Sequence, residues 1–248
     1  MIDARILLRA PLNFKGKCKV YPPSTNEVVF TELFTQYQKM LTITQEEIED
    51  EIFADKNIQS KPNLRIPTPF EFVLANSYQS KPFEQVARQA FEFFIHQPVY
   101  FLYEEKALLI GDIEEELKKA KTVDDLTLIK EEEFFEFQNL VRECLGNDPV
   151  EPPNPNEDPR VKRIKAKARY RDKIKAKQGK GLQLGTIICA ICCMGIGVTL
   201  LNIGEISYAS LGTLMKMYQD KEKYELDIKS LLAGADRKKI KPVYWIKN

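Results

Sequence analysis

The apolar positions change their spacing several times along the chain, and each change marks an element. Two short apolar runs open it, Ile6-Leu7-Leu8 and Cys18-Lys19-Val20-Tyr21, with Lys15-Gly16-Lys17 between them. That arrangement predicts a β-hairpin, closed by Pro22-Pro23. A helix follows, capped by Ser24 or Thr25, with Val28, Val29, Leu33 and Tyr37 along its inner face. Thr44 and Glu47 form a capping-box pair, so a second helix runs from Gln45 to Ala54 with an acidic outer face.

Thr68-Pro69-Phe70-Glu71 starts another helix, with a capping hydroxyl, proline at the first helical position and a carboxylate that reaches back. From Lys81 to His96 the stripe Phe83, Val86, Ala87, Ala90, Phe91 and Phe94 has the 3.6-residue period of an amphipathic helix, and Pro98 stops it. Val99–Tyr103 and Lys106–Ile110 read as a second hairpin around Glu104-Glu105, and Asp112 with Glu115 begins a short helix. Lys130 to Leu145 is the last helix of this part, with Phe134, Phe135, Phe137, Leu140, Val141 and Cys144 apolar and Gly146 as the residue after its cap.

The segment 148–159 holds five prolines, which excludes helix and central strand and predicts a stiff extended linker. Residues 160–180 consist of good helix formers and end at Gly179 and Gly181, so a basic helix is expected there. Residues 181–204 carry no charge at all. The chain closes with the amphipathic pattern Leu211, Leu214, Tyr218, Tyr224, Ile228, Leu231 and Leu232, a stop at Gly234, and a tail bearing the single tryptophan, Trp245.

The expected fold class is therefore α+β, mainly α. A helical N-terminal domain with two β-hairpins (1–147) leads through the Pro-rich linker (148–159) and the basic helix (160–180) to a helical, apolar and amphipathic C-terminal region (181–248).

Charge sharpens this division. The whole chain of 248 residues has a formal net charge of only +1, yet residues 1–159 carry −12 and residues 160–180 carry +10. Blocks of this kind point to self-association, internal docking or an anionic partner. Three uses of the basic run stay open: nucleic acid or anionic lipid, an acidic protein surface, and a solvated connector. A phosphate-binding role would give steep salt dependence. With Tyr170 as the sole aromatic in the run, base stacking is not indicated. The uncharged run has two readings as well. It is long enough to span a bilayer, which takes about 20 residues; it also suits a buried or partner-binding segment.

Candidate chemistry is sparse. His96 is the single histidine, and its place at the end of an aromatic helix suits capping or packing better than catalysis. Cys189, Cys192 and Cys193 include a C-x-x-C spacing, but Ile187, Ile188 and Ile191 surround them and no second cysteine pair completes a zinc site. With Cys18 and Cys144 they are expected to be reduced thiols. The carboxylates at 46–51 and 131–133 read as solvated helix faces, and no phosphate-binding glycine motif is present. No catalytic residue, metal site or cofactor is expected, and the chain reads as a binding protein, not an enzyme.

The stretches "KVYPPSTNEVVFTELFTQYQKMLTITQEEIEDE", "IPTPFEFVLANSYQSKPFEQVARQAFEFF" and "LLNIGEISYASLGTLMKMYQDKEKYELDIKSLLAGADRKKIKPVYWIKN" resemble proteins encoded near the tail genes of bacteriophages and prophages of low-GC bacteria. In layout the chain is similar to a tail assembly chaperone in its long form. The resemblance implies a non-enzymatic role in virion morphogenesis: binding the tape-measure protein, and recruiting tail-tube subunits through the C-terminal extension. It places the protein in the host cytoplasm or with the virion. One departure is that 184–201 is more apolar than a soluble extension needs, which keeps the membrane alternative open.

The residues expected to contact a partner are Arg163, Lys167 and Arg171 for charge steering, and Ile187, Ile191, Leu200, Leu211, Leu214, Tyr218 and Trp245 for apolar contact.

Overall fold

The first strand comes later than the pattern suggests. In the computed structural model, which describes residues 3–54, 65–119, 122, 125–152, 158, 160, 161, 164, 165, 168, 169, 171, 183–236 and 240–244, the chain begins with α1 (Ala4–Leu7). Asp3 caps this single turn by accepting from the Arg5 amide at 2.8 Å. Three apolar residues in a row fit either a strand or a buried turn, and here the cap decides for the turn, with Ile6 buried and Leu8 left out in solvent. The hairpin is made by β1 (Leu12–Phe14) and β2 (Cys18–Val20), paired antiparallel with Phe14 opposite Cys18. Its turn needs two left-handed residues, Lys15 (φ 51°) and Gly16 (φ 73°), and the Asn13 side chain accepts from the Gly16 amide at 3.0 Å. That handedness matches the natural twist of paired strands.

The helix expected after Pro23 is two helices. Ser24 caps α2 (Thr25–Phe30) in a complete capping box with Glu27, but Thr31 turns extended and ends it. The chain restarts as α3 (Phe34–Thr42). The break reorients the chain so that Phe34, Tyr37 and Leu41 enter the core, while Val29 on α2 is half exposed. The helices α4 (Gln45–Ala54), α5 (Pro69–Gln79) and α6 (Lys81–Ile95) lie where the pattern puts them. Thr44 with Glu47, and Thr68 with Glu71, make the reciprocal side-chain bonds that satisfy free amides at the helix starts. His96 ends α6 in the left-handed conformation (φ 57°), and its ring stacks on Tyr21 with centroids 4.3 Å apart.

The second hairpin, β3 (Val99–Leu102) with β4 (Ala107–Ile110), gains a third strand, β5 (Leu128–Lys130), giving the order β3-β4-β5. Strand β5 holds only three residues and follows α7 (Ile113–Lys119), which is too little apolar alternation to announce itself. It makes β4 the central strand, buried at all four positions.

Helix α8 (Glu131–Cys144) then crosses the core. Its end is a Schellman turn: the Asn147 amide donates to Arg142 and the Gly146 amide to Glu143, both at 2.9 Å. Phe91 and Phe137 meet at a tilt of 32° in the centre, 5.7 Å between centroids, and Phe14 meets Phe137 edge-on at 5.6 Å. Each such ring contributes about 1.5–3 kcal/mol by burial.

Beyond the linker, the described residues of the basic run, among them Arg160, Lys165, Arg169 and Arg171, are helical. The uncharged run is not one helix. It forms α9 (Leu184–Cys193) and then breaks at Gly195 and Gly197, both at positive φ, before a 3₁₀ turn (Ile203–Glu205). Ten helical residues reach about 15 Å, half of the ~30 Å hydrocarbon core of a bilayer. Among the described residues no helix is long and apolar enough to cross a membrane. This break tells against the membrane alternative for 181–204 and favours the reading as a packed or partner-binding segment. Helix α10 (Tyr208–Leu232) completes the fold and stops before Gly234 (φ 95°).

Candidate partner-binding surfaces

The C-terminal region is stitched to the start of the chain by backbone. The proline pair at 22–23 and the extended N-cap Ser24 leave the Pro23 carbonyl and the Thr25 amide without helical partners. The segment entering α10 supplies them. Tyr208 donates its amide to Pro23 at 2.9 Å, the Ile206 carbonyl accepts from the Thr25 amide at 2.8 Å, and Ser24 and Ser207 form an antiparallel bridge. The Thr25 hydroxyl donates to the same Ile206 carbonyl at 3.0 Å. Phe34 meets Tyr208 edge-on at 5.5 Å, and Gly146 lies so close to Ala209 that a β-carbon on it would come within 3.0 Å. Arg9 bonds Glu27 at 2.8 Å and lies 4.0 Å from Glu205, tying the three segments by charge. Burial works to raise the Glu27 carboxyl, but the Ser24 amide, the Ser24 hydroxyl and Arg9 outweigh it and hold Glu27 below its ordinary range.

This docking splits the residues expected to meet a partner. Ile191 and Leu211 are fully buried with Ile203, in a small apolar cluster that α9 and α10 make with each other. Ile187 and Leu214 pack against that cluster. These four serve the chain's own packing first, because α9 is too short to stand without it. Leu200 does face solvent, at 71%, and Tyr218 is half-buried on α10. Arg171 is exposed. Arg163, Lys167 and Trp245 lie outside the described residues.

Beside Leu200, Leu201 is 97% exposed, and Ile196 in the same loop is also exposed. On α10, Met217, Leu226 and Leu232 are exposed, as are Val243 and Tyr244 in the tail. Leu201, Leu226 and Leu232 are thus contact candidates in addition to the partner-binding residues named from the sequence. Leu232 carried a signal as part of the apolar periodicity; for Leu226, opposite the stripe, there was none. The packing of α10 is concentrated on α9 and α1, at its first turns, and its remaining length meets no buried cluster among the described residues.

A cleft of about 810 Å³ opens where the starts of α4 and α5 approach α8. Phe70, Phe134 and Phe135 form its apolar wall. The linker and the basic segment border it through Val150, Pro152, Lys165 and Arg169. Asn139 holds the linker against α8 by pairing with both backbone groups of Val150, at 3.1 and 2.9 Å. Arg169 reaches from the basic segment to α4, bonding Asp50 at 3.0 Å and Glu46 at 3.2 Å. The Asp50 bond, then the Asp50, Glu46 and Glu47 charges, raise its pKa against the opposing effect of burial. Gln138 and Arg142 donate to the Ile43 and Thr42 carbonyls, satisfying the end of α3. Burial lowers the Arg142 pKa, with Glu47 opposing.

No family model, no curated protein and no solved structure matches this chain.

The cleft's described lining includes carboxylates, guanidinium groups and the Thr68 hydroxyl, which donates to Glu131 at 2.8 Å, but neither histidine nor cysteine. Among the described residues no group of three or more His, Cys, Asp or Glu could hold a metal ion. Cys18 and Cys144 are buried, and burial pushes both thiols up to about 12, against a lowering by Lys17 for Cys18 and with a further rise from Glu143 for Cys144. Thiols of that kind are inert packing groups. Cys189 and Cys193, by contrast, are exposed on α9.

Proposed function

We propose that this chain is a non-enzymatic assembly protein of the long-form tail chaperone kind, which holds a tape-measure or tail-tube protein during construction of a phage tail. The observation that supports this reading is the C-terminal region. It is anchored through backbone bonds at Thr25 and Tyr208, yet it leaves Leu200 and Leu201, and Met217, Leu226 and Leu232 on α10, exposed. Apolar side chains held out in this way cost free energy in water unless a partner covers them. The remainder of the basic run supplies charge that speeds encounter with an acidic partner surface.

Arg169 shows how such charge can be used, since it already binds the acidic face of α4 within the chain. Docking on an acidic protein surface is therefore favoured over phosphate binding for the run.

Affinity-tagged protein recovered from phage-producing cells tests the reading. The expected result is co-purification of identified tail proteins, lost when Leu200 and Leu201 are both changed to Asp. Recovery of the intact protein with no tail protein from such cells would overturn it.

A further inference from the structure

Helix α10 carries a second regularity inside its broader amphipathic pattern. Leu214, Met217, Lys221, Tyr224, Ile228 and Leu231 recur at alternating spacings of three and four residues. That is the seam of a coiled coil, and on a 3.6-residue helix these six positions fall in one stripe. Its first residue touches the α9–α10 cluster, and the others belong to no buried cluster of the described residues. Tyr244 meets Tyr224 edge-on at 5.6 Å while staying 57% exposed, so its ring widens the apolar strip.

The charges beside the seam select its occupant. Asp220 and Asp227 flank one edge and Glu225 the other, and Lys221 sits within the seam with its ammonium 3.8 Å from Glu225. A second copy of this chain fits badly. In a parallel pair, Lys221 would face Lys221 and Asp220 would face Glu225; in an antiparallel pair the aspartates would face each other. Like charges at these positions oppose pairing.

We infer that the seam of α10 docks an amphipathic helix of a different protein, one whose apolar stripe is flanked by lysine or arginine and which sets a carboxylate or amide opposite Lys221. This rests on the reading of the C-terminal region as the part that holds a partner, and it gives that partner a chemistry.

The test uses the full-length chain and two labelled synthetic helical peptides. Both peptides carry a leucine seam with one glutamate in it; one is flanked by lysine and the other by glutamate. Fluorescence anisotropy is expected to show the lysine-flanked peptide binding at least about tenfold more tightly. The triple variant Asp220→Lys, Glu225→Lys, Asp227→Lys reverses that preference. Ile228→Asp, on a half-exposed position, abolishes binding with the circular dichroism spectrum unchanged.

Equal binding of the two peptides, or no binding of either, overturns the inference. So does self-association of the wild-type chain in sedimentation equilibrium that Ile228→Asp removes, because the occupant is then a second copy. Failure with the peptides while tail proteins still co-purify sinks the seam alone. Discrimination between the peptides with no tail protein recovered sustains the seam and sinks the assembly reading.

Discussion

Ser24 and Ser207 pair as neighbours on an antiparallel bridge although one opens the first long helical stretch and the other caps the last helix. Each serine caps its own helix, Ser24 accepting from Glu27 and Ser207 from Ser210. Two N-caps therefore meet, and the extended backbone that each cap requires is what lets them bond to each other. The join holds the C-terminal region at a defined place beside α2 and α3, and any partner gripped by α10 is held at that place too.

Gly146 is where the join is most sensitive to volume. It combines a left-handed φ of 75° with the backbone of Ala209 3.1 Å from where a β-carbon would be. Gly234 has φ 95° but open space around it. Gly146→Ala is expected to destabilise by about 1–3 kcal/mol, from strain and overpacking together. Gly234→Ala costs the backbone strain alone, about 1 kcal/mol. Denaturant titration of the two variants checks the order; equal costs would mean that the Gly146–Ala209 approach is not tight.

Acid weakens the same region. The Glu27 carboxyl is held below its ordinary range in the folded chain. A depressed carboxylate adds stability that is fully present above the unfolded value of about 4.3 and is lost as pH falls through the lower folded value. Glu27→Gln keeps the amide contact to Ser24 and removes the titration. Its unfolding midpoint is expected to lie below that of the wild type at pH 7, with the gap closing by pH 3.

Thiol reactivity separates the two parts of the chain. Exposed Cys189 and Cys193 are expected to react with a thiol reagent at pH 8 in the folded protein, while buried Cys18 and Cys144 wait for unfolding. Time-resolved labelling read by peptide mass spectrometry measures this. Fast labelling of Cys144 in native buffer would contradict the packing of α8.

Arg169→Glu places a carboxylate against Glu46 and Asp50, converting two attractions into repulsions. The global stability change is small, about 1 kcal/mol, because the pair is partly solvated. Local release is the larger effect. Limited trypsin digestion is expected to cut within 160–180 several-fold faster in the variant, and at high salt in the wild type.

The local signals were strong enough in the sequence to fix several elements. The capping boxes at Thr44 and Thr68, the aromatic stripe of α6, the left-handed exit at Gly146 and the stop before Gly234 depend on residues a few positions apart, and the backbone obeys them directly. The α+β, mainly α class follows from their sum. Tertiary structure decided what local chemistry leaves balanced. Ile6-Leu7-Leu8 could have been strand or turn, and the Asp3 cap with burial of Ile6 chose the turn. Strand β5 exists because β4 offered it an open edge. The periodicity that marked Ile191 and Leu211 as apolar could not say which apolar surface they would meet; α9 and α10 met each other first. Burial is a property of what lies opposite a side chain, and only the folded chain supplies that neighbour.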